Sequence, residues 1–281
     1  MSVQLKLVQN YYKTISFISP KYAAKKGINL FCTVRLKGIK NKEAAFYEMA
    51  KEFHVPRTDK TDLTCYELGN PAGKVVFLIH GWDSNIGCMT LISQSLLANH
   101  RIIGIGLPAH GYHADKQTNL VESSEAFKTV LEYINPTSFD VVSHSFGSAV
   151  VAMGLAIAPD FKADKLVFLT APNKVKDIFD EFKNIVKIGD KAYQKMLLAT
   201  ENDILNEKIE DFTVVKKLKL AHFEKGIIIH DKFDKALPFG NAEEITKSIP
   251  KMELHKMEKI GHYRMLWNEE VVELVKNYLK V

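Results

Sequence analysis

Residues 141–150 read VVSHSFGSAV, three serines and one histidine enclosed between two runs of small or branched apolar residues. A nucleophilic serine can be presented on a strained turn from a buried strand into a helix, with its Oγ projecting from the sheet edge. Strand and helix backbones pass close at such a turn, so the positions two before and two after the nucleophile must be small. Ser143 is flanked at those positions by Val141 and Ser145, and Ser148 by Phe146 and Val150, so each has a neighbour that is too large. Ser145 is flanked by Ser143 and Gly147, and it alone passes. It also follows an apolar run, FDVV, and precedes a helix-compatible run, SAVVAMGLAI, as a strand–turn–helix requires.

The pattern around this stretch alternates strands and helices. Strands are predicted at 62–68 (DLTCYEL), 74–80 (KVVFLIH), 100–105 (HRIIGI), 139–142, 165–170 (KLVFLT), 226–230 (GIIIH) and 252–257 (MELHKM). Helical segments are predicted at 121–134, 147–157 and 268–280, with two more, 4–18 and 42–53, ahead of the first strand. Short apolar strands separated by helices imply an α/β architecture, a mostly parallel sheet covered on both faces with functional loops at the strand C-termini. Residues 173–220 carry helical periodicity and no strand, and are read as a helical cap insertion. The expected organisation is a helical N-terminal segment over 1–60 packed on the body, a core formed by 61–172 and 221–281, and the cap between them.

Composition is that of an ordinary folded domain: 281 residues, 46% hydrophobic and 25% charged, with no support for disorder or low-complexity repeats. Three scattered cysteines make neither a disulfide framework nor a C-x-x-C site, and no run of about 18 apolar residues occurs to span a bilayer, so a cytoplasmic location is expected. Charge is uneven: residues 1–60 hold 12 Lys/Arg against 4 Asp/Glu (+8), the remainder 26 against 29 (−3). The basic segment lacks any nucleic-acid motif, and nucleic acid is not expected as a partner. A membrane surface is an alternative partner, but the preferred reading is a docked helical segment with a solvated lysine face.

An elbow serine expects an acid and then a histidine further along the chain, each after a strand. His262, in Gly261-His262-Tyr263-Arg264 between the last strand and the last helix, is the candidate base. The segment IIIHDKFDKALPFG offers two acids; Asp234 has the offset from the strand end that lets a loop turn back toward the histidine, and Asp231 is the alternative, read as a turn former. The oxyanion would need two backbone N–H groups, assigned to Phe146 and to Trp82 in His80-Gly81-Trp82. Gly81, His144 and Phe179 are assigned to the substrate pocket. His110 and His113 lie three apart, but no carboxylate or cysteine cluster completes a metal site around them.

The pieces HGW (80–82), LPAHG (107–111), SHSFG (143–147), HDKFDKALP (230–238) and GHYRML (261–266), in that order, resemble the α/β-hydrolase superfamily over about residues 60–281. The resemblance implies an eight-stranded, mostly parallel sheet, a Ser145–Asp234–His262 triad, oxyanion donors at Trp82 and Phe146, and no cofactor. The P-A-H-G followed by Thr118-Asn119-Leu120 looks like a branch of esterases with undefined substrates. Ser143 and Asp231 depart from the pattern, standing where glycine is usual, and Gly106 stands where many relatives have aspartate. The expected activity is hydrolysis of small carboxylic esters through an acyl-enzyme. Thioesterase, acyltransferase and perhydrolase chemistry fit the same residues, and a non-catalytic binding or peripheral membrane protein is the reading from another class.

Overall fold

The computed structural model describes residues 3–36 and 38–280. In chain order its strands are β1 (Lys51–Val55), β2 (Leu63–Gly69), β3 (Lys74–Ile79), β4 (His100–Ile105), β5 (Phe139–His144), β6 (Ala163–Leu169), β7 (Phe223–Asp231) and β8 (Met252–Met257). Its α-helices are α1 (Val3–Ile18), α2 (Pro20–Phe31), α3 (Asn41–Met49), α4 (Thr90–Leu96), α5 (Leu120–Ile134) and α6 (Phe146–Ala156). They continue with α7 (Val175–Val186), α8 (Asp190–Thr200), α9 (Val214–Leu220), α10 (Gly240–Ser248) and α11 (Glu269–Leu279). The chain divides into two compact units, one of Met1–Thr33 with Lys174–Thr213, the other of Val34–Asn173 with Val214–Val281. These boundaries differ from the segments drawn on the sequence: the first 33 residues group with 174–213, and residues 34–60 group with the sheet.

The larger unit holds one sheet in the order β1-β2-β4-β3-β5-β6-β7-β8. β2 runs antiparallel to both of its neighbours, β1 and β4, and every pair from β4 through β8 is parallel. β3 has only apolar residues after Lys74 and buries all five of them. Successive side chains of a strand point to opposite faces, so Val75, Phe77 and Ile79 join the core against Phe127, Val150 and Leu155. Val76 and Leu78 join the core of the other face, with Ile92, Val271 and Val275. A strand buried on both faces must be apolar throughout, which is why β3 carries no alternation.

One sequence expectation fails here. The helix predicted at 42–53 ends at Met49, and residues 51–55 form β1, paired in register with β2 from Lys51 opposite Glu67 to Val55 opposite Leu63. Only Val55 of this edge strand is buried, so its apolar pattern is too weak to announce a strand. Within the N-terminal segment read as helical, α2 begins where Ser19 caps it by accepting from the Tyr22 N–H and Pro20 stands at its first position, the usual place for proline. Thr118-Asn119-Leu120 also has a local explanation: Asn119 caps α5, its side chain accepting from the Glu122 N–H at 2.9 Å.

After β3 the chain goes to β4 on one side, then returns past β3 to β5 on the other. Such a reversal of strand order opens a crevice at the carboxyl ends of the strands concerned. Strand order, the antiparallel β2 and helices on both faces make this the α/β-hydrolase fold. Among the described residues, no helix is long and apolar enough to cross a membrane.

Candidate active site

Ser145 is the single residue between β5 and α6, with φ 53° and ψ −118°. A non-glycine residue held at positive φ is strained and persists only where its surroundings fix it. Here the Ser145 N–H donates to Leu169 O at 3.1 Å, and its carbonyl accepts from the Ser148 N–H at 2.9 Å. A Cβ added at Gly147 would stand 2.6 Å from His80 O and 2.7 Å from Ile79 O. The first turn of α6 thus lies against the end of β3, and only glycine fits there. Ser143 is fully buried and pairs with Ser148 at 3.0 Å between the two Oγ atoms, while Ser148 Oγ donates to Thr170 O at 2.8 Å. Because the Ser148 proton is committed to Thr170, Ser143 is the donor in the first bond.

The His262 ring lies between a serine and an acid. Its Nδ1 is 2.7 Å from Asp234 Oδ2 and its Nε2 3.0 Å from Ser145 Oγ. An ionised carboxylate only accepts, so Nδ1 carries the proton and Nε2 is free to accept from the serine hydroxyl. Asp234 has a fully buried side chain, and its Oδ1 accepts from the N–H groups of Ala236 at 2.7 Å and Leu237 at 3.0 Å. Burial opposes its ionisation, but the hydrogen bond from His262 and these two amides together hold the carboxyl below the usual carboxylate range. Of the two acids read from the sequence, Asp234 is the one that touches His262.

Asp231, the last residue of β7, grips the loop that carries His262. It accepts from the N–H groups of Phe233 (2.8 Å), Lys259 (3.2 Å) and Gly261. Burial works against its charge, and the backbone donors prevail and keep it ionised. The spacing of two aspartates three residues apart was visible in the sequence. That the first would bind backbone across 30 residues of chain was not.

His144 is buried rather than open to a pocket, with 1% of its surface exposed. Its Nε2 donates to the His262 backbone carbonyl at 3.0 Å, and its ring lies 4.8 Å from that of His262. Gly81 is packed just as tightly: a Cβ there would meet His144 Nδ1 at 3.0 Å and the Ser145 Cβ at 3.4 Å. His80, unremarked in the sequence except as part of HGW, ties two loops together. Its Nδ1–H donates to Gly81 O at 2.8 Å and its Nε2 accepts from the Leu107 N–H at 3.2 Å. Burial pushes both His80 and His144 down to about 3, with neighbouring histidines adding to the effect, so both rings are neutral.

The rings of Trp82 and Phe146 meet edge to face at 5.1 Å, and both side chains are partly exposed. Phe146 is the first residue of α6, and the N–H of a first helical residue has no acceptor inside its helix. Tyr263, which the sequence gave no reason to single out, packs edge to face on His262 at 4.8 Å. Phe179 belongs to the other unit, where it is buried against Phe31 at a ring distance of 4.2 Å.

The class defined by this architecture is the α/β-hydrolase fold, and solved structures of known proteins share it. An esterase from Pyrococcus furiosus superposes with a TM-score of 0.66 at 17% identity, covering 87% of this chain and 96% of its own. An esterase from Exiguobacterium antarcticum gives 0.64 at 18%, covering 81% and 99%. A bacterial membrane phospholipase A, described as a virulence factor, gives 0.64 at 12%, covering 99% and 96%. By sequence, the chain is similar to a serine hydrolase-like protein of Danio rerio, 25% identical over 178 residues, 62% of this chain and 53% of that protein. It also matches an acetyltransferase component of the acetoin cleaving system of Pseudomonas putida, 29% identical over 99 residues, 34% of this chain. The matched regions span only 53% and 27% of the lengths of those two proteins. No family model matches the chain.

Proposed function

We propose that the protein is a serine hydrolase of carboxylic esters, with Ser145 as nucleophile, His262 as general base and acid, and Asp234 as the carboxylate that orients it. The observation that carries this reading is the unbroken chain from Asp234 Oδ2 through both ring nitrogens of His262 to Ser145 Oγ, at 2.7 Å and 3.0 Å. Both distances lie in the range a proton transfer needs. The strained backbone of Ser145 and the description of fold neighbours as esterases support it.

His262 Nε2 takes the hydroxyl proton as Ser145 Oγ bonds to the acyl carbon, and the carbonyl pair moves onto oxygen. The Phe146 and Trp82 N–H groups receive that oxyanion, the first of them assisted by the positive end of α6. As the tetrahedral intermediate collapses, the C–O bond to the leaving group breaks and His262 returns its proton to the departing alkoxide. Water then loses a proton to His262 and attacks the acyl carbon; the acyl–Oγ bond breaks, His262 returns the proton to Ser145 Oγ, and the carboxylic acid is released. Asp234 remains ionised throughout and stabilises the imidazolium.

The test is labelling with a fluorophosphonate probe together with hydrolysis of p-nitrophenyl esters of graded acyl length. Wild type should label at Ser145 and turn over at least one ester, and Ser145→Ala should do neither. A folded wild type that neither labels nor hydrolyses any ester would overturn the assignment.

A further inference from the structure

Helix α1 has apolar residues on two faces. One face, with Val8, Tyr12 and Ile15, packs into the core of its own unit alongside Ala23, Ala24, Met196 and Leu197. At 3.6 residues per turn, Val3, Leu7, Tyr11, Phe17 and Ile18 fall within about 120° of one another on the other side. That side is open: Phe17 is 91% exposed, Val3 75%, Ile18 73% and Leu7 65%. Tyr22 at the start of α2 is 47% exposed and Tyr11 43%. Scattered surface leucines are ordinary, but five large apolar residues aligned on one helix face mark an interaction surface.

The charge around this stripe indicates what covers it. Residues 1–33 contain Lys6, Lys13, Lys21, Lys25 and Lys26 and no aspartate or glutamate. Lys6 and Lys13 follow the stripe along one edge at the same helical spacing, and Lys26 lies 5.5 Å over the ring of Tyr22. An exposed apolar stripe edged by lysines, on a helix that itself contains no acid, is the pattern of a helix that lies in the plane of a membrane interface. Its apolar residues enter the acyl boundary, and its long lysine stems place their ammonium groups among anionic headgroups. A second copy of the chain is a poorer occupant, because a two-fold contact brings the same patch against itself and sets five lysines against five. We infer that the outer face of α1, with Lys6, Lys13 and the neighbouring lysines of α2, is a docking surface for anionic lipid bilayers. The inference does not depend on the chemistry assigned to Ser145.

The experiment is co-sedimentation of the full chain with vesicles of phosphatidylcholine alone and with about 30% phosphatidylserine. Wild type should bind the anionic vesicles at least about tenfold better than the neutral ones, and less well as salt is raised. Phe17→Asp with Ile18→Asp should reduce binding at least about tenfold while leaving the circular dichroism spectrum and melting temperature unchanged, since both side chains are exposed. Lys6→Glu with Lys13→Glu should abolish the preference for phosphatidylserine without removing an apolar contact. The inference is overturned if wild type stays in the supernatant with anionic vesicles, or if both double variants bind as wild type does. It is equally overturned if light scattering finds a dimer that Phe17→Asp with Ile18→Asp dissolves while no vesicle binding is seen, which would make the face a contact between copies.

Discussion

The ring of His144 donates from Nε2 to the backbone carbonyl of His262 at 3.0 Å. The residue before Ser145 thereby holds the residue whose side chain meets Ser145, closing a loop of contacts across 117 residues of chain. Its Nδ1 has no hydrogen-bond partner and faces Gly81. His144 therefore has one bond to lose.

Replacing His144 tests whether this bond sets the position of His262. His144→Phe keeps the bulk and removes the donor, and should lower kcat about tenfold, equivalent to about 1.4 kcal/mol, with KM changed little. His144→Gln retains an N–H donor and should recover part of the loss. Equal kcat in wild type and both variants, measured on one chromogenic ester, would show that His262 is positioned without it.

The two aspartates should separate in kinetics. Asp234→Asn removes the carboxylate that fixes the His262 proton on Nδ1, and kcat should fall by about 10³–10⁴ with the fold intact. Asp231→Ala frees the N–H groups of Lys259 and Gly261 and should act by loosening the loop. It should therefore cost stability, about 1–3 kcal/mol in denaturant melts, together with a smaller loss of kcat. If Asp231→Ala proved the more damaging to kcat, the roles would have to be exchanged.

The small residues flanking Ser145 are small for different reasons. Gly147→Ala would press a methyl group into the carbonyls of Ile79 and His80 at 2.7 Å and 2.6 Å, backbone atoms that cannot step aside. It should destabilise the protein by about 3 kcal/mol or prevent folding. Ser143→Gly only removes a donor to Ser148 and should leave activity within about tenfold, with a stability loss of about 1 kcal/mol. Thermal melts and ester hydrolysis of the two variants read both effects.

Acid should destabilise the fold through its buried histidines. His80 and His144 have pKa values lowered to about 3, against an ordinary value of 6.5. Between these limits the unfolded chain binds protons that the folded chain refuses, so stability rises with pH across that window and is lost as pH falls below about 6.5. At pH 5 each ring should cost about 2 kcal/mol relative to pH 8. His144→Gln should flatten the dependence of the denaturation midpoint on pH between 7 and 5. An unchanged slope would mean that His144 becomes protonated in the folded state.

The amino-acid sequence by itself determined the elements whose cause is local. β3 reads as a strand because its five buried residues are all apolar, and α5 starts where Asn119 can cap it. The proposal of Ser145 rather than Ser143 or Ser148 as nucleophile rests on side-chain size, and the close approach at Gly147 gives that rule its physical form. What only the tertiary structure decided depends on partners remote in the chain. β1 exists because β2 offers it a ladder, not because KEFHV prefers to be extended. Asp234 rather than Asp231 meets His262 because the chain turns at Asp231, whose carboxylate is occupied by backbone amides. On the sequence, the N-terminal helix reads as docked with a lysine face left to solvent; that an exposed apolar stripe also lies on α1 is visible only in the structure, since periodicity fixes which residues share a helix face but not whether that face is covered. Burial is a property of what packs alongside, and it belongs to the fold rather than to any segment.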